Sequence, residues 1–443
     1  MSTDEADDPA YLAVLAALQS IPDLAGRAER VRELQRRDGA TFTATVDGRR
    51  VEHLLPLDLV PRLVDAASWT HLAAGTEQRA RALAAFVADA HGPRTCVRDG
   101  VIPAAVVERA AGGAVPDGRH RCATVAGLDL LREADGRWLV LEDNVRVPSG
   151  IGYALHARRV IAEALPELAG AGAPADPAGA LPLLRDALLA AAPDVAEPRV
   201  VLLSLGPSDS ASFEHRLLAA ELGVELSTPA DLTVDGALRV RTADGRPVDV
   251  AYRRLDEADL EPWPALRAAV QAGTIVLANG LGCGVADDKA VYAYLPGVTR
   301  HLLGEEPLLD GVPTWSPADP RQAAQALPRL AELVAKPVDG YGGAGVTFGS
   351  DLDARGLAGL RERITADPAG WVLQEPVAFT TAPVLAGTRF APRHVDLRVF
   401  AVTGTTTTAL PSPLTRVAPA GSRIVNSSRG GDAKDTWLLP PPS

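Results

Sequence analysis

The segment from Gly127 to Gly150 constrains the fold more than any other part of the chain. Apolar runs flank Asp135-Gly136, a dipeptide favoured in tight turns, so the segment reads as two antiparallel strands joined by a hairpin. This brings Asp129 back beside Glu142 and Asn144, which lie 13 and 15 residues further along. Side chains two apart on a strand share a face, so Glu142 and Asn144 point one way and Asp143 the other. Three hard oxygen donors then converge, a set suited to Mg2+, which takes carboxylate and amide oxygens together with water and phosphate. The competing reading is an acidic hairpin end open to water. The strongly apolar strand before the motif, with Arg146 and Ser149-Gly150 after it, favours the site. On that reading Asp143, facing away, is the neighbour whose replacement matters least.

A chain of 443 residues has room for two or three domains with substantial cores. Although 47% of its residues are hydrophobic, no apolar run approaches the roughly 18 residues of a membrane span. The acidic start, Met1 to Asp8, lacks the basic and apolar regions of an export signal. Cys96, Cys122 and Cys283 are odd in number and far apart, which excludes a full disulfide framework and any Cys-x-x-Cys metal site. A formal net charge of −12 argues against unspecific binding to nucleic acid or anionic membrane. The expectation is a soluble cytoplasmic protein with neither a nucleic-acid nor a membrane partner. Nothing in the composition decides its oligomeric state.

Along the chain, residues 9–92 are mostly helical in pattern, with a small hairpin around Asp47-Gly48. The central hairpin and a helix from Ile151 follow, and an Ala/Pro/Gly-rich connection runs to Pro198. From Arg199 the pattern becomes strand, helix, strand: Val200 to Leu205, Ser210 to Leu222, then Val224 to Leu226, the unit of a parallel sheet. Its loop Gly206 to Ser212 lacks the glycine spacing of a dinucleotide fingerprint and the Lys-Ser/Thr of a Walker loop, and reads as a capped structural turn. Arg253, Arg254 and Asp256, at a strand end, are candidate substrate contacts.

Lys336 ends a short apolar strand that runs into Asp339 to Gly345, a glycine-rich turn leading to another strand. Such a turn lets backbone N–H groups close over phosphates where side chains would collide, although many are only flexible turns. Lys289 opens a helix after an apolar strand. Trp371 to Gln374 is a strand leading into Glu375, Pro376 and Val377, an extended backbone beside an acidic side chain, suited to the adenine edge and ribose hydroxyls. Asp396 and Arg398 share a strand face. Arg416, Asn426, Ser427, Ser428 and Arg429 add anion and amide binders. No Ser-His-Asp or Cys-His set stands out among the eight histidines, of which His120, near the hairpin, is the one to examine.

With these residues assembled, the chain resembles the ATP-grasp ligases, and closely the circularly permuted ATP-grasp family, whose relatives include glutathionylspermidine-synthase-like proteins. The resemblance runs from about Thr41 to Leu439 and rests on five ordered motifs: Leu141 to Gly150, Ala286 to Tyr294, Lys336 to Gly343, His394 to Arg398, and Val425 to Ser428 with Lys434 to Trp437. In unpermuted relatives the metal hairpin comes last; here it comes first. The resemblance implies an α/β (α+β) fold with a helix-rich N-terminal region over 1–118, the metal hairpin and connection over 119–195, a pre-ATP-grasp domain over 196–284 and the ATP-binding part over 285–443. It implies Mg2+, as two ions, on Asp129, Glu142 and Asn144. ATP falls to Lys289, Lys336, Tyr341, Gly342, Gly343, Gln374, Glu375 and Val377, and reaction-centre contacts to Arg146, Arg398, Arg416 and Asn426. Asp432-Ala433, where relatives carry small residues, and the turn from Leu410 depart from the pattern in the presumed substrate region.

The implied reaction joins a small-molecule or peptide carboxylate to an amine through an acyl phosphate, releasing ADP and phosphate. A kinase that stops at a phosphorylated product, and a non-catalytic nucleotide-binding protein, are the competing readings. The intact metal motif weighs against the last of these.

Overall fold

The structure is a computed structural model that describes residues 5, 9–46, 49–112, 123–172, 174–339, 345–425 and 431–441. His120, Cys122, Tyr341, Gly342, Gly343, Asn426, Ser427, Ser428 and Arg429 lie outside the described residues.

A nine-stranded sheet organises the fold, and it is assembled from both ends of the chain. Its main path runs Asp310–Gly311, Trp138–Asn144, Val125–Arg132, Arg389–Thr403, Leu414–Val417, Asp432–Leu438 and Leu57–Val64. The last two strands pair in parallel and the hairpin strands pair antiparallel, so the sequence-early hairpin sits beside the sequence-late strands, as a permuted order of motifs demands. Leu57–Val64 closes the far edge. The helical reading of residues 9–92 missed it, because a strand buried on both faces carries no polar alternation.

Alternation along the strands sorts the side chains onto two faces. On one face Leu128, Leu130, Leu397 and Val399 pack with Leu72 and Ala80 of the long helix Ala66–His91. On the other, Phe400, Leu414 and Ala433 meet Ile151 and Leu155 of the helix Ile151–Ala164. The same core continues into Leu202, Tyr252 and Ala278, members of a second, parallel sheet ordered Val276–Ala278, Val250–Arg253, Val200–Leu203, Glu225–Ser227. A third sheet, antiparallel, is built from Thr314–Trp315, Trp371–Gln374, Val334–Pro337 and Thr347–Phe348. It packs on the helix Ala354–Ala366 through Leu333, Ala335, Leu360, Ile364 and Leu373.

The hairpin parity has a structural consequence on the far face. Asp143 points away from Glu142 and makes two bonds, of 2.7 and 2.8 Å, to Arg79 of the long helix, with both side chains buried. The mild effect expected of replacing Asp143 therefore does not extend to stability: the residue borders the cleft, and its carboxylate holds the long helix to the sheet. Asp143→Asn leaves a buried guanidinium without its counter-charge, so an unfolding titration should show a loss of about 3–5 kcal/mol.

Candidate active site

The site begins with the hairpin register. Gly136 takes φ 89° in the turn, and the strands pair Asp129 with Glu142 and Gly127 with Asn144. A bulge between Asp129 and Leu130 makes this possible: Leu130 pairs with Val140, so uninterrupted pairing would set Leu141 opposite Asp129. The extra residue turns Glu142 onto the face of Asp129.

On that face Asp129 meets Arg398 and Arg416. Arg398 donates to its carboxylate through Nε at 2.6 Å and Nη2 at 2.8 Å, and Arg416 Nη2 stands 2.7 Å away. Arg416 also binds Asp396, at 3.0 and 2.5 Å. Burial works to raise the Asp129 pKa, but the two guanidiniums outweigh it and hold the carboxyl well below the usual range. The face-sharing expected of Asp396 and Arg398 therefore becomes a buried network of two acids and two arginines.

Across a cleft stands the antiparallel sheet. Leu131, Leu141, Asp129 and Glu142 line one wall, and Val334, Lys336, Phe348 and Val372 the other, with Gln374 to Val377 at the edge. Lys289 Nζ lies 3.5 Å from Glu142 and 3.5 Å from the carbonyl oxygen of Val338. Lys336 donates to the Gln374 side-chain oxygen, and Gln374 Nε2 donates to Thr314 at 2.9 Å. Glu375 pairs with Arg329 at 2.7 Å while lining the cleft. Gly345, where the glycine-rich turn returns, has φ 75°, and a Cβ there would stand 2.7 Å from the Pro337 ring, so no other residue fits.

The structure thus gathers Asp129, Glu142, Lys289, Lys336, Gln374, Glu375, Val377 and Arg416 around one cleft, with Arg398 on the Asp129 carboxylate behind it. Arg146 lies to one side, 3.5 Å from Asp287 and 3.6 Å from Asp256. The apolar walls Leu131, Leu141 and Phe348 were missed from the sequence, as was Arg423, which stacks on Phe348 at 4.3 Å. Apolar strand residues look alike whether they face a core or a ligand.

Two sequence expectations need correction. Arg253 and Arg254 are 1% and 2% exposed and are committed to main-chain carbonyls, so they do not offer themselves to a substrate. Asp432, thought to face the substrate, pairs in register with Val417 and sits among Asp58, Lys434 and Arg393, while Ala433 is in the core. The structure also gathers Ser204, His215 and Asp209, but Ser204 is fully buried, and both contacts fall on the same nitrogen, His215 Nδ1. That trio cannot work as a nucleophile relay.

The described residues fit a triphosphate: an apolar slot ends in two lysines. The metal set fits less evenly. Glu142 is 38% exposed at the side chain, and Asn144 Nδ2 is buried with no hydrogen-bond partner among the described residues, but Asp129 is already held by two arginines. Among the described residues no group of three or more His, Cys, Asp or Glu side chains is disposed to hold a metal ion.

Burial, opposed by the charge of Glu142 and reinforced by that of Lys289, lowers the Lys336 pKa to about 8. The Lys336 ammonium is present below that pH and lost above it. ATP affinity, followed with a fluorescent ATP analogue, is therefore expected to weaken as pH rises from 7 to 9.5. The limit is one charge-assisted hydrogen bond, about 1.5–3 kcal/mol, or on the order of 10–100-fold. In Lys336→Met, affinity should already be reduced at pH 7, and its decline across pH 8 should disappear.

A cleft between a large sheet and a small antiparallel one, lined by two lysines, fits an ATP-grasp architecture with its parts in permuted order. The chain belongs to the circularly permuted ATP-grasp type 2 family, whose family model matches residues 61–418. It is 46% identical to the "Putative glutamate--cysteine ligase 2-3" of Frankia alni over 97% of its own length, and spans 52% of that protein. A second Frankia relative, from Frankia casuarinae, carries the corresponding name "Putative glutamate--cysteine ligase 2-2" and again is 46% identical, with 52% of it covered. The chain thus spans about half the length of these two relatives. An uncharacterized protein of Mycobacterium leprae is 42% identical over 95% of this chain and 78% of its own length. Among solved structures, a glutathione synthetase-like effector from Globodera pallida in its apo form superposes with a TM-score of 0.62 at 14% identity. The superposition covers 95% of this chain and 98% of that one, a likeness of fold. No helix among the described residues is long and apolar enough to cross a membrane.

Proposed function

We propose that the protein is an ATP-dependent carboxylate–amine ligase. The observation that carries this reading is the convergence, in one cleft, of Lys289 and Lys336 on one side with Glu142 and the Asp129, Arg398 and Arg416 network on the other. Lysines hold the phosphates as point charges, and arginines match the planar oxygens of a transferring phosphoryl group. The substrate carboxylate attacks the γ-phosphorus, ADP departs, and the acyl phosphate is taken by an amine with loss of phosphate. These steps need position and charge compensation more than a protein nucleophile. Mg2+, when bound, would supply charge neutralisation at the phosphates; Glu142 and Asn144 would hold it, joined by Asp129 if a guanidinium gives way. Residues 285–443 supply the lysines, and the hairpin supplies Glu142. A reaction that draws on ATP suits the cytoplasm.

The names of the Frankia relatives make glutamate and cysteine the first pair to test. ADP release should be screened over pools of amino acids, short peptides and polyamines, with the mass of each product measured. The expected result is ADP release that needs both an acid and an amine, with a product weighing their sum less water. ADP release with acid alone and a stable phosphorylated product would make the protein a kinase. ATP binding with no ADP from any pool would make it a binding protein.

A further inference from the structure

The loop from Val145 to Gly150 leaves the metal hairpin and enters the helix Ile151–Ala164. Its Ser149 carbonyl accepts from Arg398 Nη1 at 3.1 Å, which adds a third anchor to the guanidinium already on Asp129. From the other side this loop is gripped by the parallel-sheet body. Arg254, just past the strand Val250–Arg253, donates at 2.6 Å to the Pro148 carbonyl and at 2.6 Å to Ser149 Oγ. Glu214, on the helix Ser212–Leu222, accepts from the N–H groups of Gly150 at 2.7 Å and Gly152 at 3.0 Å through one oxygen. Its other oxygen stands 3.5 Å from Arg254.

Both side chains are buried, Glu214 at 0% and Arg254 at 2% exposure. The backbone is shaped around them. A Cβ on Gly152 would stand 2.8 Å from Glu214 Cγ, and one on Gly150, at φ 134°, would stand 2.8 Å from the Phe400 ring. A buried ion pair adds little net stability over an apolar pair of the same volume, so stability does not account for this one. What it does is geometric: a carboxylate from one body fills the N-terminus of a helix belonging to another, and its arginine holds Pro148 and Ser149, just ahead of that helix.

We propose that Glu214 and Arg254 are positioning residues for the phosphoryl-transfer step: they fix Ser149, and through its carbonyl the plane of the Arg398 guanidinium. This rests on the ligase reading only for its effect on turnover; the effect on Arg398 stands apart from it. Turnover, and not nucleotide binding, depends on the pair, because Lys289 and Lys336 lie on other elements. A misplacement of this kind costs on the order of 10²-fold in rate.

The test uses the full chain in three forms: Glu214→Gln, Arg254→Met, and the two combined, which leaves no buried charge unpaired if the single changes fail to fold. Arginine Nε–H resonances are followed by 15N labelling, with Arg398 identified by its loss in Arg398→Lys and Arg79, on the opposite face of the sheet, as a control. The Arg398 resonance is expected to shift or broaden in each variant while that of Arg79 stays in place. Where ADP release is measurable, it should fall on the order of 10²-fold with affinity for an ATP analogue within about twofold of normal. Adding Arg398→Lys to Glu214→Gln should lower it no further than the more damaging single change. An unchanged Arg398 resonance overturns the proposal whether or not the wild-type protein turns over. Parallel loss of ATP affinity, or a double variant whose losses multiply, overturns it too. Absence of ADP release from the wild-type protein counts against the ligase reading alone.

Discussion

Replacing Glu142 with Gln is expected to lower ATP-dependent turnover by about 10²–10³ while the protein stays folded. Glu142 is the predicted metal-binding carboxylate that faces open space: its side chain is 38% exposed, and it pairs with Lys289 at 3.5 Å. The amide keeps the shape and can be solvated, so folding has no reason to suffer. It lacks the charge that would hold Mg2+ against the phosphates and balance Lys289 and Lys336. ATP should still bind through the lysines and the apolar walls, and the Mg2+ dependence of turnover should move to higher concentration. ADP release against Mg2+ concentration, with the melting temperature as a control, decides the matter. Near-normal turnover at ordinary Mg2+ would place the metal elsewhere in the cleft.

Arg398→Lys is expected to have an effect of similar size by a different route. The lysine keeps a positive charge near Asp129 but cannot reproduce the two bonds to that carboxylate together with the third to Ser149. Asp129 remains paired with Arg416 at 2.7 Å, so no buried carboxylate is abandoned and the fold should persist. An interaction made chiefly in the transition state lowers kcat and kcat/KM together and leaves ATP affinity alone. A loss of about 10²-fold or more in kcat, with analogue affinity unchanged, is the expected pattern. Weaker nucleotide binding at full kcat would instead make Arg398 a ground-state phosphate contact. Together the two substitutions separate the two sides of the site, Glu142 through metal dependence and Arg398 through turnover alone.

Local rules carried a good part of the reading. A turn dipeptide between apolar runs, and the two-residue period of a strand, pointed to Asp129 lying beside Glu142 and to Asp143 facing the other way. The same period put Asp396 and Arg398 on one face, and the order of the motifs announced a sheet closed by both ends of the chain. These features follow from covalent geometry and chain order, which a sequence states outright.

What the sequence left undecided was the partner of each charged side chain. Asp129 looked like a metal ligand, but two arginines, more than 260 residues away, hold it: Arg398 lies 269 residues further on. Asp143 looked like a mild position to change, but Arg79, 64 residues earlier, meets it in the interior. Arg253 and Arg254 looked like substrate contacts and proved to be interior donors to loop carbonyls. Even the hairpin depends on a bulge at Leu141 that neither its turn nor its alternation foretells. The reason is common to all four. A charge or a bulge takes its meaning from whatever the fold packs against it, and that contact is fixed only when strands distant in sequence are paired and desolvated together. Chain-local geometry therefore determined which residues this protein brings to its cleft, and the tertiary structure decided which of them remain available to a ligand and which are held by each other.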